Sequence, residues 1–196
     1  MQKIGLTGNI GSGKSTVASV FSARGIPVYH ADDRSGNFLL LTDIQEKVIR
    51  MFGRKILGDS GLIDNKLLAG IVFGDQAELK KLTDLLHPMV MQDFRLFFSG
   101  MLNVPYVIME AAILFESGYA TEFNRIILVS CPQEIAIQRV IKREKIAPES
   151  VLSRMRFQMK NEELEEKADF IILNDGKQMI IPQVISIHRR LMQEGQ

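Results

Sequence analysis

Gly8-Asn9-Ile10-Gly11-Ser12-Gly13-Lys14-Ser15 stands between a short β-rich run, Lys3–Leu6, and a helical pattern in which Val17, Val20 and Phe21 recur at i, i+3 and i+4. The stretch satisfies G-x-x-x-x-G-K-[ST] in full, with a strand before it and a helix after it. Its chemistry explains its spacing. Glycines let the backbone curl so that successive N–H groups converge on an anion, and the helix opening near Lys14 adds its positive dipole end. Lys14 reaches β- and γ-phosphates, and the Ser15 hydroxyl sits on Mg²⁺. A glycine-rich turn alone needs a glycine or two, but no Lys-Ser at a fixed offset. The stretch therefore reads as a nucleoside triphosphate site. That reading alone does not separate a kinase, a GTPase and an ATP-driven switch.

Working outward, β-rich runs alternate with helical patterns, which predicts an α/β fold on a parallel sheet. The predicted strands are Lys3–Leu6, Pro27–His30, Tyr106–Glu110, Arg125–Ser130 and Asp169–Leu173. The last three are nearly continuous apolar runs, as strands covered on both faces are. Val90, Phe94, Phe97, Phe98 and Met101 form one helical stripe, and Ile180, Val184, Ile187, His188 and Leu191 another. Two stretches break the rhythm. About 75 residues separate the second and third strands, where a crossover needs only about a dozen. Residues 33–104 read as a helical insertion, and 139–167 as a second, basic one. Within the latter, Arg139–Lys160 holds seven Lys or Arg against two Glu, a charge run that a solvated helix face would also give. Segments 1–32, 105–138 and 168–196 form the core.

Composition bounds the partners. The 196 residues carry 24 Lys and Arg against 23 Asp and Glu, a net charge of +1, which argues against a nucleic-acid coat. The one cysteine, Cys131, excludes an internal disulfide framework. No apolar run is long enough to span a bilayer and no leader pattern is visible, so a cytoplasmic location is expected, with no membrane partner.

A phosphoryl-transfer enzyme needs a carboxylate beside the acceptor hydroxyl. Asp32 and Asp33 follow the second strand, at the sheet edge where α/β proteins bind ligands. Each is a candidate base or a helix cap. No N-K-x-D guanine motif follows a late strand. Asn174-Asp175-Gly176 is a turn signal that also stands where a base pocket would be.

At this point the residues resemble the dephospho-coenzyme A kinase family. Ile4-Gly5-Leu6-Thr7-Gly8 through Lys14-Ser15-Thr16 is similar to the family's opening. His30-Ala31-Asp32 stands at its Asp-Ala-Asp, with His30 for the first Asp. Phe52-Gly53, Asp59 to Asp64, Val72-Phe73 and Leu86-His87-Pro88 follow in family order. Ile113-Leu114-Phe115-Glu116-Ser117-Gly118 resembles P-L-L-F-E-S-G, with Ala112 where proline is usual. Gln138-Arg139, Arg143, Arg154 with Gln158, and Ala168-Asp169-Phe170 to Asn174 complete the series. Past the phosphate loop, the joint order carries the likeness rather than any one motif.

The resemblance implies a P-loop nucleotide-kinase-like three-layer fold with a five-stranded parallel sheet. It implies a helical substrate insertion, a helical lid, and transfer of the γ-phosphoryl of ATP to the ribose 3′-hydroxyl of dephospho-coenzyme A. Asp32 falls on the family's base. Lys14 and Arg139 join it as catalytic candidates. Gly11, Ser12, Gly13, Lys14, Ser15, Thr16, Arg143 and Asn174 would bind ATP, with Ser15 on Mg²⁺. Thr7, Asp32, His87 and Glu116 would face the acceptor. Arg139 and Arg143, at i and i+4, share a helix face suited to phosphates. Several readings stay open. His87, before a proline, ends the helix that Leu79, Leu82 and Leu86 define and is structural or a substrate contact. Glu116 holds a metal-bound water, orients Thr7, caps, or pairs with a lid arginine. Glu110 has the position of a Walker-B acid. Arg154 and Arg156 contact phosphate or pair with the acidic run Glu162, Glu163, Glu165 and Glu166. Another small-metabolite or nucleotide kinase of the same fold and a non-catalytic ATP-binding module are the competing classes.

Overall fold

The computed structural model describes residues 1–194; the last two residues of the 168–196 segment lie outside the described residues. Five strands form one parallel sheet: β1 Gln2–Thr7, β2 Val28–His30, β3 Tyr106–Glu110, β4 Arg125–Ser130 and β5 Phe170–Leu173. Their order is β2-β3-β1-β4-β5. β1 is thus central, and its carboxyl end opens where successive connections leave to opposite sides, the place where α/β sheets bind ligands. Two predicted strands are trimmed. Pro27, which has no N–H to give a ladder, precedes β2. Asp169 precedes β5, and its carboxylate accepts the Ile126 N–H at 2.7 Å.

The sheet is covered on one face by α1, Lys14–Ala23, and α9, Ile180–Glu194. Ile4 and Leu6 of β1 are sealed there with Val17 and Phe21 of α1 and Val184, Ile187 and Leu191 of α9. Burying such side chains contributes about 1.5–3 kcal/mol each. On the other face, Phe94 lies with Tyr29 at 5.4 Å between ring centroids and with Phe123 at 5.7 Å. Three further helices follow β4: α6 Gln133–Glu144, α7 Pro148–Met155 and α8 Asn161–Lys167.

The chain forms two compact units. One holds Met1–His30 and the chain from Phe94 onward; the other is Ala31–Asp93. The second contains α2 Ala31–Phe38, α3 Thr42–Phe52, α4 Asn65–Val72 and the first part of α5 Gln76–Ser99. Ile44, Val48, Phe52, Ile56, Leu68, Val72 and Leu86 form its own core. Asp64 caps α4, accepting from the N–H groups of Lys66 and Leu67 at 2.7 and 3.3 Å. The sequence pattern placed this insertion at 33–104; its unit ends earlier, because Phe94 is held by the rings of Tyr29 and Phe123.

α5 corrects another expectation. Pro88 lies inside it, and the helix runs on to Ser99. Proline removes one backbone hydrogen bond, to the Asp84 carbonyl. Both residues are exposed, while Leu86 and Val90 are buried, so packing on the apolar side outweighs the lost bond. Phe94→Ala should lower the unfolding free energy by about 3–5 kcal/mol, read from urea denaturation, because this ring is fully buried.

Candidate active site

The loop between β1 and α1 is held in a shape that little except its own sequence fits. Gly13 precedes α1 with φ 95°, and no side chain caps the helix. Its first N–H groups are thereby left for an anion. Gly11 has φ 78°, and a Cβ there would collide with the Ala136 carbonyl of α6. A Cβ on Gly13 would collide with the amide nitrogen of Asn174. The Ser12 N–H donates to the Asn9 carbonyl at 3.1 Å, closing a turn. The Ser12 hydroxyl is buried without a protein partner among the described residues, a donor left in the loop itself. The Lys14 ammonium donates to the Gly8 carbonyl at 2.8 Å. Ser15 and Thr16 open α1 with exposed side chains.

The carboxyl ends of β4 and β5 add a polar bridge. Asn174 is buried directly after β5, donates to the Ser12 carbonyl at 2.7 Å, and accepts from Arg139 at 3.2 Å. Arg139 also donates to the Cys131 sulfur at 3.4 Å. Burial pushes the Cys131 thiol up from its ordinary pKa, against the pull of the Arg139 guanidinium. It therefore stays a neutral thiol at neutral pH. The turn signal at Asp175 is also real: its carboxylate accepts from the N–H groups of Lys177 and Gln178, each at 2.8 Å.

Arg139 and Arg143 lie on the same helix, yet they have different partners. Arg143 is exposed and donates to Glu144 at 2.5 Å. Arg154 of α7 donates to the other Glu144 oxygen at 2.7 Å. One carboxylate thus holds two arginines of the basic segment, Arg143 and Arg154. Burial raises the Glu144 pKa, but the hydrogen bonds from Arg143 and Arg154 outweigh it and hold the carboxyl below its ordinary value.

Glu116, exposed after β3, accepts from the Met159 N–H at 2.9 Å. Its carboxylate thus holds the backbone that leads into α8. Glu110 ends β3 opposite His30 of β2, and its carboxylate meets His30 Nδ1 at 2.5 Å. The residue that departs from the family's Asp-Ala-Asp is therefore paired with the Walker-B-like acid. Thr7 is buried at the end of β1. In the other unit, Asp32 and Asp33 lie within the first turn of α2 rather than at its cap, where the dipole favours carboxylates. His87 is half-buried inside α5; burial lowers its pKa against the raising pull of Asp84, so it is neutral at neutral pH.

With this geometry in place, the sequence model of the dephospho-CoA kinase family matches residues 2–179. The chain belongs to the dephospho-CoA kinase family. A dephospho-CoA kinase of Bacteroides fragilis (strain YCH46) is 35% identical over 194 residues, covering 98% of this chain and 94% of that protein. A solved Thermus thermophilus structure superposes with a TM-score of 0.83 at 33% identity, covering 96% of each chain. The fold is also that of a Campylobacter jejuni dephospho-CoA kinase, with TM-score 0.66, 22% identity, and 99% and 98% coverage. The chain thus has the α/β P-loop kinase fold.

Sequence reasoning gave Asn9 and Asn161 no role. Asn9 donates to Asn161 at 2.9 Å and to the Met159 carbonyl at 3.2 Å. No local pattern signals a contact between residues so far apart in the chain.

Two outcomes follow. Asn174→Ala should raise the KM for ATP about tenfold, since a lost buried hydrogen-bond partner costs roughly 1–3 kcal/mol; steady-state kinetics checks this. The Glu144 pairing stabilises the fold above the ordinary glutamate range and is lost as pH falls through the depressed folded value. The Tm gap between wild type and Glu144→Gln should be present at neutral pH and vanish in acid.

Proposed function

We infer that this chain transfers the γ-phosphoryl of ATP to the ribose 3′-hydroxyl of dephospho-coenzyme A, giving coenzyme A and ADP, the last step of coenzyme A synthesis. The observation that carries this is the family match over residues 2–179 with the phosphate loop intact inside it. Membership of this family makes the chain a kinase, a phosphotransferase acting on an alcohol group.

The residue roles are proposals. The backbone of Gly11, Ser12 and Gly13 and the start of α1 at Lys14, Ser15 and Thr16 would cradle the phosphates. Lys14 would exchange its bond to the Gly8 carbonyl for phosphate oxygens and follow the transferred group. Arg139, held by Asn174, would stabilise charge on the equatorial oxygens. Arg143 would leave Glu144 for ATP. Asn174 would act on ATP through Ser12 and Arg139. Asp32 would accept the proton of the attacking hydroxyl, and the other acceptor-side candidates are Thr7, His87 and Glu116.

Mg²⁺ fits this donor set. Among the described residues there is no cluster of three or more His, Cys, Asp or Glu suited to caging a metal, and Mg²⁺ in such enzymes is held largely by phosphates and water. The exposed Ser15 hydroxyl at the head of α1 would hold it. When bound, the ion would supply positive charge that offsets the phosphates' negative charge. No described helix is long and apolar enough to cross a membrane. We propose a cytoplasmic enzyme whose partners are ATP and dephospho-coenzyme A.

An ADP-release assay with ATP, Mg²⁺ and dephospho-coenzyme A should show turnover. No turnover, beside clear turnover of a nucleoside monophosphate or shikimate, would overturn the assignment. Asp32→Asn should keep ATP binding and lose about a hundredfold or more in kcat, the size of general-base loss. Lys14→Ala should weaken triphosphate binding or turnover.

A further inference from the structure

Between α7 and α8 the chain has no regular structure at Gln158–Lys160, yet it is tied to the ends of three adjacent strands. Gln158 uses both ends of its amide. Its oxygen accepts from the Ile10 N–H at 2.9 Å, inside the phosphate loop, and its nitrogen donates to the Ala112 carbonyl at 3.2 Å, beyond β3. Asn161 donates to the Cys131 carbonyl, beyond β4, at 2.8 Å. Ile10 lies in the turn that the Ser12 N–H closes onto the Asn9 carbonyl. Lys14 donates to the Gly8 carbonyl just before this turn at 2.8 Å and to the Asn9 carbonyl at its start at 3.5 Å.

We propose that Gln158 is a positioning residue for phosphoryl transfer. Its side-chain amide pins the turn Asn9–Ser12 to the β3 exit and thereby fixes where Lys14 and the phosphate-binding N–H groups stand before ATP arrives. It acts through the loop and touches no phosphate. Catalysis by electrostatic stabilisation depends on donors already in place, and a glycine-rich loop needs outside ties to hold them there. The tie also joins the end of the basic segment to the loop. The segment Arg139–Lys160 is thus anchored at its far end by Gln158, whatever its middle does when nucleotide binds.

The inference rests on the kinase reading, and the experiment separates the two. Gln158→Met keeps length and removes both hydrogen bonds. Its ATP Kd, measured by calorimetry, should be weaker than wild type by about tenfold, the scale of a lost, partly buried hydrogen bond. Its kcat/KM for ATP should fall at least as far, while the KM for dephospho-coenzyme A stays within about twofold. A wild type that binds ATP but does not turn over dephospho-coenzyme A overturns the kinase reading, and the ATP Kd comparison still decides this inference. A folded Gln158→Met with wild-type ATP Kd and kcat/KM overturns it. So does an equal loss toward both substrates, the mark of general loosening. If the variant does not fold, hydrogen exchange of the wild-type Ile10 amide decides: protection is expected, and exchange at the free-peptide rate overturns the proposal.

Discussion

Two neighbours press so closely on the phosphate loop that its shape is nearly determined by exclusion. The Ala136 carbonyl of α6 fills the space where a side chain on Gly11 would begin, and the Asn174 amide does the same at Gly13. Both positions also have positive φ, so glycine is strongly favoured there. The consequence is chemical. Glycine at these positions leaves the backbone open to a ligand, and the helix that follows has no side-chain cap to consume its first N–H groups. The central place of β1 in the order β2-β3-β1-β4-β5 then determines what else can reach that spot. Residues beyond β3, β4 and β5 arrive from either side.

What arrives is mostly polar backbone support rather than free charge. Asn174 connects the loop to Arg139, Gln158 connects it to the β3 exit, and Glu116 and Asn9 hold the chain at Met159. The basic segment, +5 by formal count over Arg139–Lys160, is restrained in the same way. Glu144 takes up both Arg143 and Arg154. Such pairs are partly exposed and worth little as stability.

His30 and Ala112 depart from the family's usual residues without leaving gaps. His30 faces Glu110, so the β2 end carries a histidine–carboxylate pair in place of a lone carboxylate. Ala112 gives its carbonyl to Gln158, a contact made by backbone and therefore indifferent to the side chain.

Much was legible in sequence because it rests on local rules. The eight residues from Gly8 carry their own turn and helix start. Tyr106–Glu110 and Arg125–Ser130 form the strands their apolar runs predict, because a strand buried on both faces must be apolar throughout. The helix through Pro88 was not legible. Local preference before proline predicts a stop, while burial of Leu86 and Val90 on one side keeps the helix whole. Nor was the partner of Arg139, or any role for Asn9. Sequence alone determined the phosphate loop, the strand–helix alternation and the family, all written in residue types at short spacing. Tertiary structure alone decided which polar side chains hold that loop. Hydrogen bonds between Gln158 and Ile10, or Asn174 and Ser12, join positions about 150 residues apart, and only the sheet order brings them together.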